Sequence, residues 1–132
     1  MANDYRLTII VMGIAGFLLV LQVIIADLTA IRHKHKAGYP IPADSTTFLF
    51  RSARTHANTN ESIAAFALLA VAGMLSSAPP TWINGLSAAW LVSRLAHMAF
   101  YYSNVKLPRS IAFGVSLMAL LGLFLTTASA WL

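Results

Sequence analysis

Apolar runs at about residues 7–31, 62–75, 82–102 and 111–132 leave this chain essentially one environment in which it can fold. A helix that crosses a bilayer needs roughly 20 apolar residues. Three of the runs are long enough alone. The second is too short unless its helix begins earlier, and Asp44 or Ser45 is the expected N-cap. At 58% hydrophobic and 10% charged residues, a soluble domain of this size could not hide its apolar surface. The expected fold is an all-α membrane protein: one domain over residues 1–132, a bundle of four transmembrane helices.

The first run reads as a retained span. Asp4 and Arg6 cancel, so there is no basic leader, and the apolar run is too long for a cleaved signal. Cysteine is absent, which removes disulfides, thiolate nucleophiles and Cys-ligated metals. The net charge of +5 is confined to particular loops. Arg32, Lys34 and Lys36 follow the first span, Arg51 and Arg54 precede the second, and Lys106 and Arg109 lie between the third and fourth. The loop at 76–80 carries no charge. This asymmetry puts loops one and three in the cytoplasm and both termini outside. Such a placement is a topology signal and not a nucleic-acid footprint, since no aromatic–basic surface accompanies it. Tyr5, Trp82 and Trp131 are expected in the outer aromatic belt. Thr81 is the expected cap of the third helix, and Pro108 is expected to open the fourth.

Two polar stripes interrupt the apolar pattern. Arg51, Arg54, Asn58 and Glu61 fall within about 80° of one helical face, and so do Arg94, His97, Tyr101 and Asn104. Ionisable residues inside a span are expensive and usually functional. The simplest reading is an internal ion network, with Glu61 neutralising Arg54 or Arg94, and with Arg94 or Arg51 as its main partner. The functional reading is a site for a small anionic, peptide-like ligand. Arginines clamp carboxylates, Asn58 pairs with an amide, and Glu61 takes an ammonium group. A tripeptide with two carboxylates, an α-amine and a thiol fits that inventory. The four histidines lack the partners and spacing of a metal site, and no Ser-His-Asp set or phosphate loop occurs.

The residues carry a resemblance beyond this. Arg54-Thr55-His56-Ala57-Asn58-Thr59-Asn60-Glu61 resembles the helix-two signature of the membrane-associated proteins in eicosanoid and glutathione metabolism. Arg94-Leu95-Ala96-His97 with Tyr101, Arg32 at the end of the first span, and the turn Lys106-Leu107-Pro108-Arg109-Ser110 match in the same order. The resemblance implies a four-helix homotrimer that binds glutathione as co-substrate between subunits near the cytoplasmic side. It implies that Arg32, Arg54, Asn58, Glu61, His97 and Tyr101 hold glutathione. Arg109 would activate the thiol with Ser110 beside it, and Arg51 and Arg94 would form the structural network.

The implied activity is transfer of glutathione to lipophilic electrophiles, with reduction of lipid hydroperoxides as a second use of the thiolate. The compact loops are similar to those of bacterial members, which implies a multi-pass protein of a bacterial inner membrane. Two positions depart from the pattern: Ala57 replaces an arginine and Phe113 a tyrosine found in some members. These departures leave a competing reading, a non-catalytic lipid-binding or scaffold member. A small exporter of lipophilic cations, with Asp27 as its carboxylate, is the remaining alternative. It fits poorly, because Asp27 lies near a span end and the arginine excess repels cations.

Overall fold

A computed structural model describes residues 3–132. The described residues form four helices and no strand: α1 (Arg6–Arg32), α2 (Phe48–Leu75), α3 (Pro80–Tyr102) and α4 (Lys106–Ser129). Two of them, α1 and α4, are long and apolar enough to cross a membrane. The other two, α2 and α3, carry the polar stripes and do not reach that mark.

The helix starts differ from the sequence expectations for local reasons. Asp44 does not cap α2. Its carboxylate accepts from the Thr46 backbone N–H at 2.9 Å and hydroxyl at 2.7 Å, closing a turn before the helix. These hydrogen bonds hold its pKa below the usual carboxylate value. Thr47 is the cap instead, its hydroxyl oxygen accepting from Phe50 N at 3.3 Å. Thr81 is not a cap either. Pro79 holds that position and Pro80 opens α3, where a missing N–H costs nothing. Pro108 sits within the first turn of α4, which begins at Lys106. Asn104 lies beyond the end of α3, at φ 58°, so the α3 stripe ends at Tyr101.

One end of the bundle is tied by long-range hydrogen bonds. Tyr5 donates its hydroxyl to Ala78 O at 2.6 Å, and Trp131 Nε1 donates to Ser76 Oγ at 2.8 Å. Asn84 Oδ1 accepts from the Thr8 backbone N–H and hydroxyl at 3.0 and 2.8 Å. Tyr5 is therefore a buried strut, not a belt aromatic, while Trp82 and Trp131 stay exposed. These ties gather the start of α1, the α2–α3 turn and the end of α4. The α1–α2 and α3–α4 loops lie at the opposite end.

The core runs between these ends. Phe66 of α2 stacks on Trp90 of α3 with ring centroids 4.1 Å apart, and Leu18, Ile83 and Leu123 pack in the same buried cluster. Small residues let the helices approach. A Cβ at Gly73 would meet Ile83 Cδ1 at 2.7 Å and Thr127 Oγ1 at 2.9 Å. Both neighbours are fully buried. At Gly122 the clash is with the tip of Leu86, at 2.8 Å, and that side chain is only partly buried. Gly73→Ala should therefore destabilise by about 1–3 kcal/mol. Gly122→Ala should be tolerated. Heating the detergent-purified variants and measuring the fraction that stays monodisperse checks this order.

Candidate functional site

At the end of the bundle away from the termini, α2, α3 and α4 enclose a recess of about 220 Å³. Its walls are Arg54 and Asn58 from α2, His97 and Tyr101 from α3, and Arg109, Ser110 and Phe113 from α4. The helical period explains the convergence. Arg54 and Asn58 are one turn apart on α2, His97 and Tyr101 one turn apart on α3, and Arg109 and Phe113 one turn apart on α4.

Beneath the recess, Arg94 is fully buried and joins three helices. Its Nη2 donates to Asn58 Oδ1 at 2.6 Å and to Thr59 Oγ1 at 3.3 Å, and its Nη1 to Ser116 Oγ at 3.4 Å. Nη2 also lies 3.5 Å from His97 Nδ1. An arginine N–H can only donate, so His97 accepts at Nδ1 and carries its proton on Nε2. Two orientations follow. The Asn58 amide oxygen is engaged below, which leaves its NH₂ group as a donor. His97 likewise has its donor on the nitrogen away from Arg94.

Of the partners expected for Glu61, Arg54 is the one it takes; the main expected partners, Arg94 and Arg51, do not pair with it. Glu61 accepts from Arg54 Nη1 at 2.9 Å. Arg54 is two turns before Glu61 on the same face, about 10 Å along the axis, while Arg51 is about 15 Å away. Arg51 turns back instead and donates through Nη1 to the Ser45 and Thr46 carbonyls, at 3.0 and 2.7 Å. It fastens the α1–α2 loop to α2. Arg94 is solvated by neutral oxygens and has no carboxylate within ion-pair distance among the described residues. Both arginines thus have structural partners but belong to no ion pair among the described residues.

Arg109 has its guanidinium 4.4 Å from the centre of the Tyr101 ring, and its N–H groups have no hydrogen-bond acceptor among the described residues. Ser110 already donates its hydroxyl proton to Lys106 O at 3.2 Å, so it faces the recess as an acceptor. The Tyr101 hydroxyl has no such engagement among the described residues, which makes it the better donor of the two. Phe113 adds a ring 6.4 Å from that of His97. Arg32 ends α1, exposed, and does not line the recess. Glu61 contributes only through Arg54, and Ala57 lies outside the lining. Thr59 and Ser116, which hold Arg94, escaped the sequence reading because a serine or threonine in an apolar helix carries no signal of its own.

Five cationic or hydrogen-bond-donating groups, on Arg54, Asn58, His97, Tyr101 and Arg109, line one recess in an all-helical chain with two helices long and apolar enough to cross a membrane. The match to a family model narrows this further. The model of the MAPEG family covers residues 8–129, and the chain belongs to that family of integral membrane proteins. The family includes glutathione transferases, peroxidases and leukotriene or prostaglandin synthases, together with non-catalytic members.

Proposed function

We propose that this protein is a membrane-bound glutathione transferase for lipophilic electrophiles, spanning the bilayer four times. The observation that carries this reading is the convergence of Arg54, Asn58, His97, Tyr101 and Arg109 on one recess. At about 220 Å³ it is smaller than the roughly 300 Å³ at which ligand pockets begin. It accepts part of a tripeptide, and a neighbouring copy supplies the remaining wall. Arg32, exposed and outside the recess, is the residue such a copy would bring. A homotrimer with loops one and three in the cytoplasm satisfies that arrangement.

In this mechanism the carboxylates of glutathione engage Arg54 and Arg32, and the Asn58 NH₂ donates to a backbone carbonyl. The Arg109 guanidinium stands near the sulfur and favours the anion, which lowers the thiol pKa from its free value of about 8.5. The proton leaves to solvent, and Tyr101 donates to the thiolate. An electrophile arriving from the lipid is attacked at carbon: an S–C bond forms and the leaving group departs with its electron pair. With a lipid hydroperoxide, attack at the terminal oxygen forms an S–O bond as the O–O bond breaks; the alkoxide takes a proton and leaves as the alcohol, and a second glutathione converts the sulfenic acid to the disulfide with loss of water.

Turnover of glutathione with a chloronitrobenzene by the detergent-purified protein tests the assignment. Saturable conjugate formation supports it; a folded protein that binds no glutathione excludes it. Phe113, which lines the recess without a hydroxyl group, favours the scaffold reading. That reading gives glutathione or lipid binding with no conjugate.

Glu61 separates binding from folding. Its pair with Arg54 is about half exposed on both sides, and such pairs contribute roughly 0–1 kcal/mol. Glu61→Gln should leave the thermal midpoint nearly unchanged. It should weaken glutathione about tenfold, because Glu61 holds Arg54 in place. A calorimetric titration beside a melting curve reads both.

A further inference from the structure

Asp27 is a carboxylate in the more apolar of the two membrane-crossing helices, and it meets no cation. It is exposed and has no hydrogen bond or ion pair among the described residues. It lies on the side of α1 opposite Val11, Leu18 and Gln22, which face the core. With 27 residues, α1 is about 40 Å long, against a hydrocarbon core of roughly 30 Å. Centred in a bilayer, α1 would carry Asp27 to the edge of the hydrocarbon, since only about 7.5 Å of helix separates it from Arg32. The chain then folds back over that edge. Lys34, at φ 52°, ends α1 in a left-handed turn, closed by Lys34 N to Ile31 O at 3.0 Å and His35 N to Ala30 O at 2.9 Å. A second turn has Gly38 at φ 82° and Tyr39 N donating to Lys36 O at 3.2 Å, and it returns Tyr39 and Ile41 to the side of α1. The result is a cavity of about 460 Å³ whose walls include Asp27, Ala30, Ile31, His35, Tyr39 and Ile41. His35 Nε2 donates to Tyr39 O at 3.0 Å and fixes the second turn. Lys36 Nζ lies 4.6 Å from the centre of the Tyr39 ring and donates to its hydroxyl at 3.2 Å, which leaves two N–H donors for a ligand. Val20 and Ile24, both exposed, continue the Asp27 side of α1 toward the middle of the span.

We propose that this cavity holds the headgroup of an aminophospholipid, with its ammonium on Asp27, its phosphate on Lys36 and an acyl chain along Val20 and Ile24. The charges decide among lipids. A primary ammonium gives a carboxylate N–H bonds. A quaternary choline has none to give, and a glycerol headgroup sets a net negative lipid beside Asp27. The apolar wall and the depth of Asp27 select a lipid over a soluble amine, because one ligand must reach the headgroup layer and the hydrocarbon together. No residue of this cavity belongs to the recess between α2, α3 and α4. The inference rests on the membrane-spanning reading and is independent of glutathione.

The lipid that stays with the protein tests this. Protein reconstituted in vesicles of equal parts phosphatidylethanolamine, phosphatidylcholine and phosphatidylglycerol, with matched chains, is extracted in mild detergent, and its bound lipid is counted by native mass spectrometry. The wild type should retain phosphatidylethanolamine at least about threefold over either other lipid. Asp27→Asn should lose that preference. Lys36→Gln should lose bound lipid but keep the order, because all three lipids share the phosphate. Equal retention by the wild type, or an unchanged preference in Asp27→Asn, would overturn the proposal. In lipid-free detergent Asp27→Asn should melt with the wild type. A lower midpoint would show that Asp27 pairs with a cation of a neighbouring copy, which also overturns it. Glycerophosphoethanolamine, the same headgroup without chains, should displace no lipid, and displacement would reassign the cavity to a soluble amine. None of these measurements reads turnover, so they stand or fall apart from the enzymatic assignment.

Discussion

Arg109→Ala should lower the rate of glutathione conjugation at pH 7 by about 30- to 100-fold while changing glutathione affinity only a few-fold. The size follows from the thiol. At a free pKa of about 8.5, roughly 3% of the thiol is ionised at pH 7. A guanidinium that ionises it fully therefore supplies about 30-fold, and loss of its orienting contact adds the remainder. The sign of the pH dependence follows from the same argument. The thiolate is present above its pKa, and removing the cation raises that pKa. The variant should gain close to tenfold in rate for each pH unit below about 8.5, while the wild type is already level near neutrality. Binding is spared because Arg54, Asn58 and Arg32 remain. Stopped-flow rates across pH, with affinity measured separately, check the split. A variant with full turnover at pH 7 would remove Arg109 from the chemistry.

The second large effect is on the fold. Arg94→Ala should lower stability by about 3–5 kcal/mol, which corresponds to a fall in the thermal midpoint of more than about 10 °C. The fully buried side chain leaves a cavity behind. Asn58, Thr59 and Ser116 lose the group that joins them across α2 and α4, and buried polar groups without partners cost about 1–3 kcal/mol each. Arg94→Lys keeps the charge but not the fork, so it cannot reach α2 and α4 together. It should fall between the alanine variant and the wild type. Differential scanning fluorimetry in detergent reads the order. A midpoint within about 2 °C of the wild type for Arg94→Ala would mean that the bundle does not depend on this junction. Glutathione affinity should fall with Arg94→Ala as well, because Asn58 is oriented by that arginine.

Much of this was legible in the sequence, for reasons that can be stated. Apolar runs at about 7–31 and 82–102 anticipate α1 and α3 to within two residues, because hydropathy and helical length both act along the chain. The recess was legible for the same reason: residues one turn apart share a face, so Arg54 with Asn58 and His97 with Tyr101 had to emerge together. Partners across helices were not legible. Arg54 stood among the expected partners of Glu61 because the two share a face of α2, but choosing the oxygens of Asn58, Thr59 and Ser116 for Arg94 depends on the depth at which α2, α3 and α4 pack, and no spacing along the chain encodes that depth. The burial of Tyr5 against Ala78 failed for the same reason. The start of α2 failed on a finer scale. Asp44 and Thr47 are both good caps, and only the turn that Asp44 closes onto Thr46 decides between them.

The central claim is that this recess binds glutathione and ionises its thiol. Ultraviolet difference absorbance of the thiolate, recorded as glutathione is titrated into the purified protein at neutral pH, tests it most directly. The account predicts a saturable thiolate signal with the wild type, none with S-methylglutathione, and a bound but un-ionised thiol with Arg109→Ala. Glutathione that binds the wild-type protein and remains a thiol would contradict it.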